Sequence, residues 1–270
     1  MPFSVTVLGS FAIEAEGQTL ALPVAAARAL LAFLAVECDQ PHRREILASM
    51  FWPDQSRATT YANLRQTLSR TRKALAGRLE IEDLLAITPQ TLQWQANPAV
   101  VDAARFERLL AETRTHEHAH VLHCALCITR LQQAVALYRG ELLHGLYLEH
   151  SVPFEEWLLA KREFLHIQVL EALHTLALYE EGAGRYEHMH QYAARQIALE
   201  PWREGAHRQL MRALALRGER AAALNAFETC RRVLAEELGI APSEETTALY
   251  RQIIEDGLQP VAPAPATRPA

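Results

Sequence analysis

The sequence predicts a mainly α-helical fold in two parts. In the first part, short β-prone runs precede three helical segments and a final hairpin, and in the second part the periodicity is helical throughout. At 270 residues and 30.3 kDa the chain is long enough for two domains, each with its own core. We therefore expect one domain over residues 1–97, an all-α domain over 98–257, and a Pro/Ala-rich tail or linker over 258–270.

The N-terminal runs are rich in Val and Thr and are separated by turn residues. Residues 3–8, 11–13 and 19–22 are the β-prone runs, with Gly-Ser and Glu-Gly breaks between them. This pattern favours a small antiparallel sheet. Pro23 is then expected to open a helix at its first position.

Residues 42–51 follow as a short helical segment. Its apolar spacing predicts a buried side, formed by Ile46, Leu47, Met50 and Phe51.

A long basic helix is predicted over residues 55–77. No acidic residue, glycine or proline interrupts the chain between Gln55 and Gly77. The window 55–78 carries six cations, namely Arg57, Arg65, Arg70, Arg72, Lys73 and Arg78, within a chain of net charge -5. A local excess of positive charge on one helix of an acidic protein indicates a polyanionic partner.

At about 100° per residue this helix has two distinct faces. The residues predicted to face the core are Tyr61, Leu64, Leu68 and Leu75. The residues predicted to contact DNA are Thr59, Asn63, Gln66, Arg70 and Lys73, with Thr67 at the margin, and Arg57, Arg65 and Arg72 beside them. Amide and guanidinium groups bond base edges in a major groove, and the flanking arginines suit phosphates. The alternative is a solvated helix that happens to be basic.

A hairpin follows the basic helix. Residues 81–87 and 92–95 are β-prone and flank the turn Thr88-Pro89-Gln90-Thr91. A hairpin in this position is typical of a winged helix-turn-helix, in which the wing reaches an adjacent groove or the backbone of the duplex. Leu84 to Ile87 contain no basic residue, so a weak wing contact is expected.

The helical part contains a repeat. Gly184-Arg185-Tyr186 recurs as Gly218-Glu219-Arg220 after 34 positions, which is the period of tetratricopeptide (TPR) repeats. Pro201 is expected to close the first helix pair, whereas the second runs on to Gly239 and Pro242. Two repeats do not bury a solenoid face alone, so the preceding helices are expected to complete the stack.

The motif LASMFWPDQSRATTYANLRQTLSRTRKAL, with the sheet and wing around it, resembles the OmpR-type winged helix of the SARP family (Streptomyces antibiotic regulatory proteins). The stretch from Arg185 to Ile254 resembles the bacterial transcriptional activator domain that follows it in that family. The resemblance runs from Phe3 to Ile254. It implies that the long helix enters the major groove of DNA, and that the helical domain contacts RNA polymerase and a second copy of the chain.

A metal site is the weaker interpretation of a His/Cys-rich segment. His120, Cys124 and Cys127 are spaced i, i+4, i+7 and would share one face of a helix, with His116 or His123 as a fourth ligand. Cysteine is often a small buried hydrophobe, so the default expectation is no metal and no cofactor.

The remaining patterns exclude several functional classes. There is no phosphate-binding glycine loop, no G-x-S-x-G and no H-E-x-x-H motif, so an enzyme is not expected. No apolar run approaches the ~18 residues of a membrane span, and no cationic residue precedes an apolar segment at the N-terminus, so a cytoplasmic location is expected.

We expect a DNA-binding transcription regulator, an activator, that uses duplex DNA with repeated half-sites, RNA polymerase and a second copy of itself as partners. The competing hypothesis is a TPR-type adaptor whose winged helix does not bind DNA.

Overall fold

The computed structural model describes residues 3–118, 120–255 and 257–258. The strands are β1 Phe3–Thr6, β2 Ala12–Ala15, β3 Gln18–Thr19, β4 His42–Arg43, β5 Leu85–Ile87 and β6 Thr91–Trp94. The helices are α1 Ala25–Val36, α2 Arg44–Phe51, α3 Arg57–Leu75, α4 Ile81–Leu84, α5 Asp102–Thr115, α6 Ala125–Leu137, α7 Val152–Gly182, α8 Tyr186–Leu199, α9 Glu204–Leu216, α10 Arg220–Glu237 and α11 Glu244–Ile254. The predicted mainly α class, with a small sheet and wing before an all-α region, is confirmed.

The first sheet is antiparallel, in the order β1-β2-β3, and Val5 lies opposite Ile13. Alternation buries Val5 and Ile13 on one side of this sheet. The third strand is shorter than predicted: it ends at Thr19, and only the amide of Leu20 still donates to the Ile13 carbonyl, at 2.8 Å. The predicted strand over 19–22 is therefore wrong beyond Thr19.

Two predicted helix starts are displaced. α1 begins at Ala25 with Val24 as its N-cap, so Pro23 lies outside the helix instead of opening it. α2 begins at Arg44, because His42 and Arg43 form β4 and pair with β6. The predicted buried side of α2 is also partly wrong. Leu47, Ala48 and Phe51 are buried, whereas Ile46 is 57% exposed.

The second sheet has the order β4-β6-β5 and contains the wing. The hairpin is present, but only Leu85–Ile87 of its predicted first strand is extended. Residues 81–84 form the short helix α4, because the Glu80 side chain caps it while the Asp83 carboxylate accepts the Glu80 amide at 3.3 Å.

Packing divides the described residues into two compact units. The first unit holds residues up to 115 together with 133–167, and the second holds residues from 116 to 132 and from 168 onward. The predicted division at residues 97 and 98 follows sequence pattern rather than packing and stays a prediction.

In the first unit, chain segments far apart in sequence complete one core. The buried Asp102 carboxylate accepts the amides of Val7 at 2.8 Å and Leu8 at 3.2 Å, which joins the start of α5 to the end of β1. Burial raises the pKa of Asp102, and the hydrogen bonds that its carboxylate accepts from three backbone amides oppose that change. Leu8 also pairs with Leu142 in an isolated β-bridge.

Aromatic rings extend the same core. The Phe33 ring lies 4.8 Å from that of Trp157, and the Phe51 ring lies 5.2 Å from that of Phe154. The start of α7 therefore packs on the helices that precede the wing.

The second unit contains the predicted repeat. After α7, the amide of Gly184 donates to the Glu181 carbonyl and the amide of Arg185 to the Glu180 carbonyl. After α9 the same pattern recurs 34 residues later, where Gly218 donates to the Ala215 carbonyl and Glu219 to the Leu214 carbonyl. Both glycines have positive φ, +70° and +81°, as this type of helix ending requires. The predicted long second helix is observed as α10, which ends at Glu237.

None of the described helices is long and apolar enough to cross a membrane. Of the predicted tail over 258–270, all but Leu258 lies outside the described residues.

Candidate nucleic-acid interface

The basic helix forms as α3 because its ends are well specified. The Ser56 hydroxyl accepts the amide of Thr59 at 3.3 Å and caps the first turn. The helix ends at Leu75, and Gly77 has a φ of +81° just beyond it. The positive charges of Arg72 and Lys73 in the last turn interact favourably with the negative end of the helix dipole.

The buried face of α3 is wider than apolar residues alone predict. Leu64, Leu68 and Leu75 are buried as expected, and Tyr61 is half-buried. Three threonines are buried beside them: Thr60, Thr67 and Thr71. Thr67, predicted to contact DNA from the margin, is only 5% exposed and faces the core, so this prediction is wrong.

The centre of the exposed face carries side chains with free polar ends. Arg65, Gln66, Arg70 and Lys73 are all exposed. Within the part of the chain that the structure describes, none of these four side chains has a hydrogen-bond or ion-pair partner. Ala62 and Ser69 are exposed between them and give the face small residues over which a duplex can approach closely.

Two of the predicted DNA contacts are engaged with acidic residues instead. Arg57 lies 3.2 Å from the Glu45 carboxylate, and Arg72 pairs with Glu82. The Arg72 guanidinium holds the pKa of Glu82 below its usual value. These two arginines therefore add less positive charge to the surface than the sequence predicts.

The first turns of the exposed face are also internally bonded. The Thr59 hydroxyl lies 2.8 Å from the Ser56 hydroxyl. Asn63 donates from its amide to the Gln55 side-chain oxygen at 2.6 Å. Both side chains remain at the surface, but part of the hydrogen-bonding capacity of each is already used within the chain.

Arg44, at the start of α2, belongs to the same surface and was missed by sequence reasoning. Its Nε is buried and has no hydrogen-bond partner among the described residues. Burial lowers the pKa of Arg44, and the positive charge of Arg65 lowers it further. Two neighbouring like charges repel each other until an anion lies between them, as a phosphate would. The only sequence signal was the Arg43-Arg44 pair.

The tip of the wing is neutral. Thr88, Pro89 and Gln90 are exposed, and the Thr88 hydroxyl accepts the Thr91 amide at 2.9 Å, which fixes the turn. The amide of Arg44 donates to the Gln90 carbonyl at 2.8 Å, so the tip is anchored beside α2. Thr88, Pro89 and Gln90 offer no cation to a phosphate, and the weak wing contact stays a prediction.

The predicted helical arrangement of His120, Cys124 and Cys127 is wrong. α6 begins only at Ala125, and the His120 Nδ1 instead accepts the amide of Leu122 at 3.2 Å in a 3₁₀ turn. The cysteines face two other histidines: Sγ of Cys124 lies 3.9 Å from Nδ1 of His116, and Sγ of Cys127 lies 3.8 Å from Nδ1 of His118.

Comparison with known proteins identifies the helical region. Residues 101–254 match the family described as "Bacterial transcriptional activator domain". The chain belongs to this family. The resemblance to SARP-type regulators is therefore confirmed, and the chain is a transcriptional regulator.

Curated relatives match along most of the chain. It is 26% identical over 257 residues to "Transcriptional regulatory protein MoaR1" of Mycobacterium tuberculosis, which covers 92% of this chain and 78% of that protein. It is 25% identical to "Regulatory protein DnrI" of Streptomyces peucetius, covering 93% and 91% of the two chains. It is 28% identical to "Regulatory protein AfsR" of Streptomyces coelicolor, but spans only 24% of that protein.

A solved structure shows the same fold. "Mycobacterium tuberculosis EmbR in complex with low affinity phosphopeptide" matches with a TM-score of 0.71 and 22% identity, over 95% of this chain and 66% of that chain. The winged helix and the helical region of this regulator thus occur together in an experimentally determined protein.

Proposed function

We propose that this regulator is an activator that binds double-stranded DNA with the exposed face of α3 in the major groove. Its helical domain, which we place over residues 98–257, contacts RNA polymerase or a second copy of the chain. The observation that supports the proposal is the set of exposed, unpartnered side chains on α3 described above. Such side chains keep their hydrogen-bonding capacity for a ligand outside the protein.

Base reading falls to the side chains near the middle of the exposed face. Gln66 can bond adenine bidentately, and Arg70 can bond guanine in the same way. Lys73 lies one turn further along the same face, within reach of the next step of the duplex. Thr59 and Asn63 join this set once their bonds within the first turns are exchanged.

Arg65 and the neighbouring Arg44 bind phosphate groups of the duplex. Such contacts position the protein on the duplex and carry no sequence information. Arg57 and Arg72 contribute only where DNA draws them from Glu45 and Glu82.

We further propose that two or more copies bind repeated half-sites. A single winged helix buries limited surface on DNA and gives modest specificity. Two copies bound to correctly spaced half-sites multiply that specificity. RNA polymerase contact and self-association rest on membership of the activator-domain family.

The test begins with selection of bound fragments from a random duplex pool, which yields the target and the spacing of its half-sites. Titrations then compare Arg70→Ala and Arg65→Ala with the unaltered protein on selected and scrambled duplexes. Arg70→Ala should weaken the selected duplex by about 1–3 kcal/mol and relax specificity, whereas Arg65→Ala should weaken both duplexes alike. Arg232→Ala is the control, because Arg232 is an exposed arginine on α10, in the second compact unit.

Unchanged affinity in both α3 variants would overturn the assignment of these residues. Absence of any duplex binding at low salt would favour the adaptor role instead, because binding through several cations strengthens as salt is lowered.

A further inference from the structure

The histidines and cysteines between residues 116 and 127 take no part in the proposed DNA-binding surface, and they bring potential metal ligands together. Ligand atoms of His116, His118 and Cys127 all lie within 4.8 Å of one another. Cys124 joins them through its 3.9 Å approach to His116. All four residues belong to the second compact unit.

Two of the separations are close to those at a tetrahedral ion. Zinc binds thiolate at about 2.3 Å and imidazole at about 2.0–2.1 Å, so a sulfur and a nitrogen on the same ion lie about 3.5 Å apart. The two Cys-His pairs, at 3.9 and 3.8 Å, are within a few tenths of an ångström of that separation.

The local backbone places an amide donor beside the Cys124 sulfur, whereas burial raises the pKa of the Cys127 thiol. Cys124 directly precedes α6 and Cys127 lies in its first turn. The backbone amide of Cys127 donates to the Cys124 sulfur. The Cys124 sulfur thus accepts a backbone amide at the N-terminal end of α6.

We propose that His116, His118, Cys124 and Cys127 bind one zinc ion. Two imidazoles and two thiolates are a donor set that zinc favours in closed structural sites. The ion joins the segment before the 3₁₀ turn to the first turn of α6. Binding releases the two thiol protons to solvent, so the ion is held more weakly as pH falls.

One bond must change when the ion enters. Nδ1 of His118 also lies 2.7 Å from the His116 carbonyl oxygen, to which it donates in the neutral ring. Coordination through Nδ1 requires that proton to move to Nε2 and the ring to turn away from the carbonyl. The rings of His116 and His118 are stacked, with their centroids 5.7 Å apart.

The neighbouring histidines provide a matched control. The Nδ1 of His120 already accepts the amide of Leu122, and its ring packs beside that of His123 at 5.7 Å. Among the described residues, no group of potential metal ligands includes either of them. They have the same chemistry in the same segment but lie outside the proposed site.

The experiment measures zinc in full-length protein purified under reducing conditions without a polyhistidine tag. We expect close to one equivalent per chain by mass spectrometry of the metal. Replacement by cobalt(II) should give the strong visible bands of a tetrahedral ion and a thiolate-to-metal charge-transfer band. His118→Ala and Cys124→Ser should each lose most of the bound metal, while His120→Ala should retain it.

Both site variants change exposed or half-buried side chains, so they are expected to fold, and circular dichroism checks this. Less than a tenth of an equivalent of zinc in the unaltered protein, with no cobalt spectrum, would overturn the proposal. Equal metal loss in His118→Ala and His120→Ala would overturn the ligand assignment.

Discussion

The cations of α3 and those of the repeat helices differ in what they contact. Arg65, Arg70 and Lys73 on α3 are exposed and have no acidic partner among the described residues. In the second unit the arginines that bind carboxylates include Arg185, Arg203, Arg208, Arg212, Arg217 and Arg231. The same residue type therefore holds the repeats together in one region and stays available to a ligand in the other.

This difference shows that the location of charge is more informative than its amount. The chain as a whole carries a net charge of -5, which by itself argues against a nucleic-acid partner. Pairing within the repeats neutralises many of its cations, so the unpaired ones on α3 stand out. Changes at Arg185 and Glu82 test this contrast, and two further changes test the stability of the second unit.

Arg185→Ala should destabilise the second unit without changing the affinity of the folded protein for DNA. Arg185 pairs with Glu180, whose side chain is only 3% exposed, so the variant leaves a buried carboxylate with a weaker partner in His188. Loss of one member of a buried pair costs roughly 3–5 kcal/mol, and partial exposure of Arg185 reduces this to about 2 kcal/mol. Urea denaturation measures it, with Lys73→Ala expected to leave stability unchanged. A loss of DNA affinity in Arg185→Ala would break the contrast.

Gly218→Ala should lower the free energy of unfolding by about 1–2 kcal/mol. Gly218 has a φ of +81°, a left-handed conformation that alanine disfavours. Gly205→Ala is the matched control, since Gly205 lies in the first turn of α9 without a positive φ and a Cβ there meets nothing within 4 Å. Thermal denaturation should show a lower midpoint for Gly218→Ala only. Equal effects at both glycines would mean that the repeated helix ending is not the cause.

Glu82→Gln should raise the affinity for DNA by a few-fold, because it releases Arg72 from its ion pair. The effect is smaller than those above, since exposed pairs contribute about 0.2–1 kcal/mol. Glu14→Gln removes the same charge from an exposed site on β2 and serves as the control. Titration of a scrambled duplex measures both, and an equal rise in the two variants would assign the effect to net charge alone.

Acidification should destabilise the second unit through His207, which is buried, and His174, which is half-buried. Burial lowers the pKa values of His174 and His207, so both favour the neutral form in the folded state. Their contribution is present above the unfolded pKa of about 6.5 and is lost as pH falls through the lowered folded values. For Asp102 in the first unit the pKa is raised, so its contribution changes in the opposite direction. Denaturation midpoints across this pH range, with His174→Gln as the comparison, measure the difference. An unchanged pH dependence in that variant would contradict the role of His174.

Much of α3 could be predicted from sequence because its signals are local. The N-cap at Ser56, the absence of glycine and proline, and Gly77 beyond the end determine its length to within two residues. The repeat was predictable for a similar reason, since two glycines 34 residues apart follow α7 and α9, the first helices of successive helix pairs.

The buried threonines of α3 could not be predicted from hydropathy. Thr60 and Thr71 satisfy their hydroxyls with the carbonyls of Arg57 and Thr67 on the same helix, each at 2.9 Å, and then bury like β-branched apolar residues. A scale that counts threonine as polar therefore places Thr67 too close to the exposed face.

Partners remote in sequence were also beyond prediction. The pairing of Arg72 with Glu82 depends on where α4 places that carboxylate, and α4 itself was predicted as strand. Similarly, β4 has only two residues, which is too short for any alternation. His118 replaced His120 among the clustered residues because the segment before Ala125 is not helical.

The bridge between Leu8 and Leu142 has a consequence for the order of events during synthesis. The amide of Leu143 donates to the Val7 carbonyl at 2.8 Å, so the segment just after β1 gains this partner only after more than half of the chain has been made. Contacts of such high sequence separation form slowly, whereas α8, α9 and α10 need only their nearest neighbours. During synthesis, the N-terminal unit is therefore complete only after residues 133–167 have been made. A fragment that ends at residue 97 would lack the partners of Val7 and Leu8.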